Sequence, residues 1–181
     1  MKELVVLVDR AGKELGCEEK MSAHVNGVLH RAFSIFVFNS LGELLVQRRN
    51  KNKYHTPGLW SNTCCSHPRP GEALSRAARR RLAEEMGFVC DVAEVFSFCY
   101  ELQLENNMIE HEFNHVFIGF HDNDPVPDPA EVEDWRWRTI QALSADMKRS
   151  PDSFTPWFTL MIKDYNSFFA KALLGGGAGN R

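Results

Sequence analysis

The stretch "GEALSRAARRRLAEEMG", residues 71–87, decides the fold of this 181-residue chain. Its interior is rich in strong helix formers, and Gly87 supplies a helix stop, so we predict a helix. At about 100° per residue, one face of this helix is apolar; it carries Leu74, Ala78, Leu82 and Met86. We expect this face to point into the core.

A carboxylate, Glu85, falls within the apolar face, whereas Glu84 falls on the opposite, solvent side. A carboxylate in a core-facing position is costly unless it is paired or bound to a metal ion. Two interpretations therefore stay open for Glu85. It binds a cation, or it forms a salt bridge with a neighbouring arginine: Arg79, Arg80 or Arg81.

Strand-like and helix-like segments alternate around this helix. We predict strands within 1–10, 30–38, 43–48, 88–104, 110–120 and 135–138, and helices over 139–147 and 156–173. The turn signal "NSLG" suggests that 30–38 and 43–48 form a hairpin. This order predicts an α/β (α+β) fold, an αβα sandwich around a mixed sheet. We expect one domain over 1–174 and a disordered tail, "GGGAGNR", over 175–181.

Composition excludes several function classes. The net charge of −3 gives no reason to expect a nucleic-acid or acidic-membrane partner. The apolar runs are far too short to span a bilayer. Five cysteines, an odd number without a CxxC pair, argue against both a disulfide framework and a thiolate zinc site, and fit a reducing cytoplasm.

The segment "SNTCCSHP", residues 61–68, contains two adjacent cysteines close to a histidine. Pro68 favours an extended conformation for the residue before it. Because side chains alternate along an extended chain, Cys65 and His67 share one face, and Cys64 points the other way. We expect Cys64 to be a packing residue. The alternative is that both cysteines are ordinary buried apolar groups.

The segment "MIEHEFNHVF", residues 108–117, places Glu110 and Glu112 on one face of a strand and His111 and Phe113 on the other. Neighbouring carboxylates repel each other unless a proton or a cation lies between them. An ExE pair on its own is more often a solvated edge.

Three histidines make a metal site plausible. His24 and His30 flank the turn signal "VNG", so the chain can fold back and bring their rings together. With His67 and the two carboxylates, they form a ligand set that suits zinc or manganese. The remaining histidines that we considered have no such argument and are expected at the surface or in packing: His55, His115 and His121.

The basic segment "QRRNKNKYHTPG", residues 47–58, carries two candidates for an anionic ligand. Arg49 offers a planar fork of donors, and Lys53 offers a point charge. A solvated charged loop is the alternative interpretation.

Four segments together identify a family resemblance: "GLWSNTCCSHPRPGE", "RLAEEMG", "IEHEFNHVF" and "FTPWF". They resemble type 1 isopentenyl-diphosphate isomerases, which have a Nudix-like fold and interconvert isopentenyl and dimethylallyl diphosphate in isoprenoid biosynthesis. The resemblance covers about residues 3–172. No flavin fingerprint is present, so the flavin-dependent type of isomerase is not suggested.

The Nudix hydrolase pattern itself is incomplete here. Laid over residues 66–88, it matches Glu72, Arg80, Leu82, Glu84, Glu85, Gly87 and Phe88. Ser66 replaces its leading glycine, and Arg81 replaces a glutamate that hydrolases use for a catalytic metal. This loss argues against the main alternative, a Nudix-type diphosphohydrolase. A non-enzymatic, metal-stabilised binding domain is a further alternative.

The resemblance implies a role for each candidate residue. It implies a divalent ion, Mn²⁺ or Zn²⁺, bound by His24, His30, His67, Glu110 and Glu112. It implies proton transfer by Cys65 and Glu112 with help from Tyr100, and a Mg²⁺ ion on Glu85 that meets the substrate diphosphate. Phosphate contacts fall to Lys20, Arg49 and Lys53, and Trp157 covers the hydrocarbon. We expect a cytoplasmic monomer that binds a small-molecule diphosphate, no nucleic acid and no membrane.

Overall fold

The computed structural model describes residues 2–165 and 167–169. Its strands are β1 (Leu4–Val8), β2 (Glu14–Glu19), β3 (His30–Phe38), β4 (Leu44–Arg49), β5 (Trp60–Ser61), β6 (Cys64–Ser66), β7 (Val92–Gln103), β8 (Ile109–Phe120) and β9 (Val132–Arg138). Its α-helices are α1 (Lys20–Asn26), α2 (Leu74–Met86), α3 (Ile140–Arg149) and α4 (Pro156–Asp164). Within the described chain, none of the helices combines the length and apolarity that crossing a membrane requires.

Strand β3 organises a mixed sheet that contains all the strands named above. It runs parallel to β8 over its whole length, from the pair His30–Glu112 to the pair Phe38–Phe120. It also pairs antiparallel with β1 and β6. The predicted hairpin between β3 and β4 contains one residue pair, Phe38 with Leu44. The strands then diverge because β4 pairs with β5 and β9 instead.

Alternate side chains of β3 enter two different hydrophobic cores. The core against α2 contains Phe33, Ile35 and Val37. The core against α3 and α4 contains Phe36 and Phe38. Because each face of the sheet buries its own set of apolar side chains under helices, the predicted αβα sandwich with a mixed sheet is confirmed.

Two parts of the chain differ from the prediction. The single helix over 156–173 is wrong, because α4 ends at Asp164 and Tyr165 leaves helical geometry. Phe169 then packs on Phe36, with ring centroids 4.4 Å apart. Elements β2 and α1 were not predicted, because β2 is largely polar and exposed and α1 has only seven residues. The tail at 175–181 and the domain boundary at 174 lie outside the described residues.

The end of α2 is fixed by a close approach of two chain segments. Gly87 caps the helix with φ 74°, in the left-handed region that favours glycine. The backbone N–H of Val126 donates to the Met86 carbonyl over 3.2 Å, and that of Asp128 donates to the Glu85 carbonyl over 3.0 Å. A Cβ at position 87 would lie 2.0 Å from the Val126 carbonyl oxygen. The loop before β9 therefore closes directly over the helix end that carries Glu85.

We predict that Gly87→Ala destabilises the protein more than Gly42→Ala does. Gly42 has φ 75° but no atom within 4 Å of an added Cβ, so its replacement costs only the left-handed strain, about 1–2 kcal/mol. At position 87 the displaced loop adds about 1–3 kcal/mol of overpacking. Urea unfolding of both variants measures the difference. Equal midpoints would show that the loop does not close on the helix as described.

Candidate active site

Most residues singled out in the sequence line one pocket, which encloses about 130 Å³. A cavity of about 150 Å³ holds a molecule the size of benzene, so this space suits a small hydrocarbon. Ten of the candidates line it: Lys20, Arg49, Lys53, Cys65, His67, Glu85, Tyr100, Glu110, Glu112 and Trp157. The other two candidates, His24 and His30, are fully buried beside it and contact the lining residues.

The pairing of β3 with β8 delivers the first part of the site. It places His30 opposite Glu112 at the start of β3, and Glu110 lies two residues earlier on the same face of β8. The helix α1 supplies His24 and ends at Gly27, whose φ of 62° turns the chain back toward β3. This turn, predicted from "VNG", brings the rings of His24 and His30 to a centroid distance of 4.8 Å.

The histidine rings are oriented by backbone carbonyl groups. Nδ1 of His24 lies 2.8 Å from the Lys20 carbonyl oxygen, and Nδ1 of His30 lies 2.8 Å from the Val28 carbonyl oxygen. A carbonyl oxygen only accepts, so each Nδ1 carries the hydrogen and donates it. The Nε2 lone pairs of both rings are therefore turned toward the carboxylates, as metal-binding histidines require.

Ligand atoms converge in two overlapping groups, each with all its atoms within 4.8 Å of one another. The first group contains His24, His30, His67 and Glu112, and the second contains His24, His55 and Glu110. Nε2 of His67 lies 3.2 Å from Nε2 of His30 and 3.1 Å from Oε1 of Glu112.

Unpartnered polar atoms test whether a metal ion fits this cluster. Among the described residues, Nε2 of His24 and Oε2 of Glu110 are buried without a hydrogen-bond partner, and they lie 3.4 Å apart. Buried polar groups are costly in that condition. Nitrogen and carboxylate donors at this spacing suit a divalent ion of intermediate softness. The residues present therefore fit a metal ion.

Burial keeps most of these imidazoles neutral. It lowers the pKa of His30 to about 4 and that of His55 to about 3, and it holds the pKa of His67 well below its usual range. For His24, burial also lowers the pKa, but the interaction with the nearby Glu110 carboxylate outweighs it and the pKa is raised. Neutral rings offer the lone pairs that metal binding needs.

A thiol and a carboxylate occupy the next part of the pocket. The hydroxyl group of Tyr100 donates to Oε2 of Glu112 over 2.6 Å. The thiol of Cys65 donates to Oδ1 of Asn62 over 3.0 Å. Burial raises the pKa of Cys65 to about 12, so this sulfur carries its proton at neutral pH. Cys64 lies on the opposite side of the strand, fully buried in the core against α2, as the alternation predicts.

Basic residues surround the opposite end of the pocket. Arg49 is 8% exposed, and no carboxylate among the described residues lies within ion-pair distance of it. Lys53 is ion-paired with Glu131, and Lys20 lies 3.1 Å from Glu3. A buried, charged group without a counter-ion indicates that an anion binds beside Arg49.

Glu85 has the two kinds of neighbour that the sequence left open. It forms an ion pair with Arg81 and accepts a hydrogen bond from Nε2 of Gln47 over 3.0 Å. Burial raises its pKa, but the charges of Arg81 and Lys53 outweigh burial and the pKa is lowered. The salt bridge is therefore present, and Glu85 also lines the pocket, where a cation accompanying an anion can reach it.

Six pocket residues were not assigned to the site from the sequence: Glu3, Tyr54, His55, Ser66, Arg81 and Glu131. The expectation that His55 is a surface or packing residue is wrong, because it is 6% exposed and its Nε2 lies 3.1 Å from Oε1 of Glu110. It sits in an irregular loop, where periodicity gives no information. Arg81 was considered only as a partner of Glu85, yet it also lines the pocket. His115 and His121 lie at the surface and in packing, as expected.

Comparisons with known proteins show the family of this chain. A NUDIX domain family model matches residues 28–158. The chain is 53% identical to isopentenyl-diphosphate Delta-isomerase 1 of Aromatoleum aromaticum, over 90% of this chain and 92% of the relative. It is also 53% identical to the isopentenyl-diphosphate Delta-isomerase of Burkholderia multivorans, over 90% of this chain and 93% of the relative.

Solved structures show the same fold at low sequence identity. The Deinococcus radiodurans protein DR0079 superposes with a TM-score of 0.75 at 19% identity, covering 89% of this chain and 98% of that chain. The MutT protein of Methanosarcina mazei superposes with a TM-score of 0.58 at 18% identity, covering 83% and 96%. These likenesses establish the Nudix fold of the sheet and its helices.

We predict that a divalent ion stabilises the protein and that His24→Ala removes this effect. His24 belongs to both groups of ligand atoms. An ion present at 100 times its Kd adds about 2.7 kcal/mol to the free energy of unfolding. Urea unfolding with Mn²⁺ and with EDTA measures the gain. His115→Ala, whose ring pairs with Glu94 outside the pocket, is the control and should keep the full gain. An equal gain in His24→Ala would contradict the site.

Proposed function

Because this chain belongs to the isopentenyl-diphosphate Delta-isomerases of the Nudix superfamily, we propose a specific division of work in its pocket. The enzyme moves the double bond of isopentenyl diphosphate to give dimethylallyl diphosphate, a step of isoprenoid biosynthesis. One observation carries the proposed mechanism. The thiol of Cys65 and the carboxylate of Glu112 line the same small pocket, together with the Trp157 indole and the buried Arg49.

The reaction adds one proton and removes another. A proton joins the terminal methylene carbon of the alkene, the double-bond electrons form the new C–H bond, and a tertiary cation results at the neighbouring carbon. Loss of a proton from the adjacent CH₂ group then forms the new double bond. An unactivated alkene is a very weak base, so the acid has to be held in place with water excluded.

Cys65 and Glu112 are the proton-transfer pair in this proposal. The thiol of Cys65 keeps its proton at neutral pH because burial raises its pKa to about 12. Tyr100 donates to Oε2 of Glu112 and so fixes that carboxylate and steadies its charge. The two groups exchange the roles of acid and base when the reaction runs in the opposite direction.

Trp157 is proposed to stabilise the cation without capturing it. Its indole is 3% exposed and is fixed by a hydrogen bond of 3.2 Å from Nε1 to Oγ of Ser61. The face of an indole attracts a cation and offers no atom that forms a stable bond with it. Trp157 also lines the pocket, and the guanidinium group of Arg49 lies 5.5 Å from the centre of its ring.

The basic end of the pocket is proposed to bind the diphosphate through Lys20, Arg49 and Lys53. Arg49, buried without a counter-ion in the described chain, is the strongest support. Glu85 is proposed to hold the Mg²⁺ ion that accompanies the diphosphate, since Mg²⁺ prefers oxygen ligands. Binding energy gained at this end, remote from the reacting carbons, can then be used to position the alkene.

A second divalent ion, Mn²⁺ or Zn²⁺, is proposed for the histidine and carboxylate cluster. Its ligands would be His24, His30, His67, Glu110 and Glu112. An ion there supplies positive charge that neutralises two adjacent carboxylates and keeps the pair in place. No flavin is needed for this proton-transfer chemistry, and we propose that none is used.

The cellular setting follows from composition. We propose a cytoplasmic enzyme, since unpaired cysteines fit a reducing compartment. The net charge of −3 supports a small-molecule partner and neither nucleic acid nor membrane. We propose that the enzyme acts as a monomer. The alternative of a diphosphohydrolase is disfavoured, because Arg81 stands where that pattern has a metal-binding glutamate and forms an ion pair with Glu85.

We predict that Cys65→Ala and Glu112→Gln each reduce isomerisation by about 10²- to 10⁴-fold, because each loses a proton-transfer group. The measurement is proton NMR of isopentenyl diphosphate in D₂O, in which deuterium enters the methyl and methylene positions. Cys99→Ala and Glu101→Gln change the same residue types at exposed positions and should keep full activity. Full activity in Cys65→Ala would remove the proposed chemistry. Release of phosphate or nucleoside monophosphate from nucleotides, without allylic product, would favour the hydrolase.

We predict that Trp157→Leu lowers kcat by up to about 30-fold, equivalent to about 2 kcal/mol of lost cation–π stabilisation. Trp157→Phe keeps an aromatic face and should lose less. KM should change little in both variants, because the cation exists only after protonation. Steady-state kinetics of the two variants give the comparison. A rise in KM with kcat unchanged would show that the indole binds substrate only.

A further inference from the structure

His55 lies where the metal-ligand cluster meets the basic end of the pocket. It is 6% exposed, and its ring stacks on that of His24 with centroids 5.9 Å apart. It meets the Trp157 indole edge-on at 5.5 Å. Its backbone carbonyl accepts a hydrogen bond of 3.2 Å from Nη2 of Arg49. The loop residue thus contacts the metal-ligand cluster, the indole and the buried arginine.

The partners of the ring define which nitrogen carries the proton. Nη2 of Arg49 lies 3.4 Å from Nδ1 of His55, and a guanidinium group only donates, so Nδ1 has the lone pair and Nε2 carries the hydrogen. Nδ1 also lies 3.1 Å from the Thr56 hydroxyl group. Nε2, with its hydrogen, lies 3.1 Å from Oε1 of Glu110, within ion-pair distance. Every polar atom of the ring is used in this arrangement.

The backbone at Thr56 is held in an unusual conformation to make this contact. Thr56 has φ 45°, in the left-handed region, which is rare for a β-branched residue. Such outliers persist where the surrounding structure over-determines them. Here the strained residue places its hydroxyl group 3.1 Å from Nδ1 of His55, beside the Arg49 donor that sets the tautomer.

The two oxygens of Glu110 are thereby made different. Oε1 lies 3.1 Å from Nε2 of His55, while Oε2 is buried, lacks a hydrogen-bond partner in the described chain and lies 3.4 Å from the unpartnered Nε2 of His24. A carboxylate that binds a metal through one oxygen needs its other oxygen held by a donor. The lone pairs left over, on Oε2 of Glu110 and Nε2 of His24, face each other.

We propose that His55 is a positioning residue of the metal site, which holds Oε1 of Glu110 so that Oε2 faces the ion. The inference rests on the proposed function in that it takes Glu110 to be a metal ligand. It adds a residue from the loop 50–58. The side chain of His55 contacts Glu110, the proposed metal ligand. The backbone carbonyl of His55 contacts Arg49, the proposed anion-binding residue.

The experiment is a titration of metal-free protein with Mn²⁺, in which electron paramagnetic resonance measures the free ion. His55→Phe removes the donor and should weaken Mn²⁺ binding by about 10- to 100-fold. His55→Gln places an amide N–H near the position of Nε2 and should restore most of the affinity. His55→Asn is too short to reach Oε1 and should behave like His55→Phe. Circular dichroism checks that each variant folds. If His55→Phe does not fold, the comparison of His55→Gln with His55→Asn still tests the proposal.

The control is His115→Phe, which breaks another histidine–glutamate pair, with Nδ1 2.7 Å from Oε1 of Glu94, outside the pocket. It should leave Mn²⁺ affinity unchanged. Unchanged affinity in His55→Phe would overturn the proposal. If His55→Gln instead loses as much Mn²⁺ affinity as His55→Phe and alters the visible spectrum of the Co²⁺-loaded protein, the result would show that His55 binds the ion directly.

Wild-type protein separates this inference from the proposed function. If it binds Mn²⁺ but forms no allylic product, the proposed reaction fails and the role of His55 still stands on the titration. If the wild-type protein isomerises the substrate but the His55 variants lose no Mn²⁺ affinity, the inference alone fails. Absence of Mn²⁺ binding in the wild type would overturn both the ligand set and His55 as its positioning residue.

Discussion

The parallel pairing of β3 with β8 is the constraint on which the site depends. It sets His30 beside Glu112, and farther along the ladder apolar side chains of both strands are buried in the two cores. A slip of one residue would turn Glu110 and Glu112 to the other face of the sheet. The apolar residues of both strands oppose that slip, because it would move each side chain out of its own core and into the one on the opposite face. The hydrophobic core thus holds the register of the polar cluster.

The pocket concentrates groups that are unfavourable when it holds no ligand. Buried imidazoles kept neutral, adjacent carboxylates and a buried Arg49 without a counter-ion all lie within it. Natural proteins break the rules of stable packing mainly at functional sites. Each of these groups becomes favourable in the presence of a charge of opposite sign. The stability of the site is therefore linked to the ions and the anionic substrate that it binds.

The difference from the hydrolases lies in side chains on a shared scaffold. Structures at 18–19% identity superpose on this chain, so the fold alone does not define the chemistry. On α2, Arg81 replaces a metal-binding glutamate and pairs with Glu85. On the opposite wall, β6 presents the thiol of Cys65. Together these differences leave one carboxylate fewer on α2 and place a thiol in the lining of the pocket.

The sequence by itself determined the local elements, because periodicity and capping act within a few residues of the chain. The helix with Glu85 on its buried face, the alternation of Cys64 and Cys65, and the shared face of Glu110 and Glu112 all follow from 3.6- and 2-residue repeats. Motifs at their spacing also identified the family and predicted ten of the residues that line the pocket.

Only the tertiary structure decided which of these faces meet. The hairpin of β3 and β4 opens because both strands find other partners, and α4 stops at Asp164 although its sequence favours continuation. His55 reaches the pocket from an irregular loop. Arg81 reaches it from α2, where it forms an ion pair with Glu85. Neither has a sequence period, since their positions depend on contacts between segments far apart in the chain.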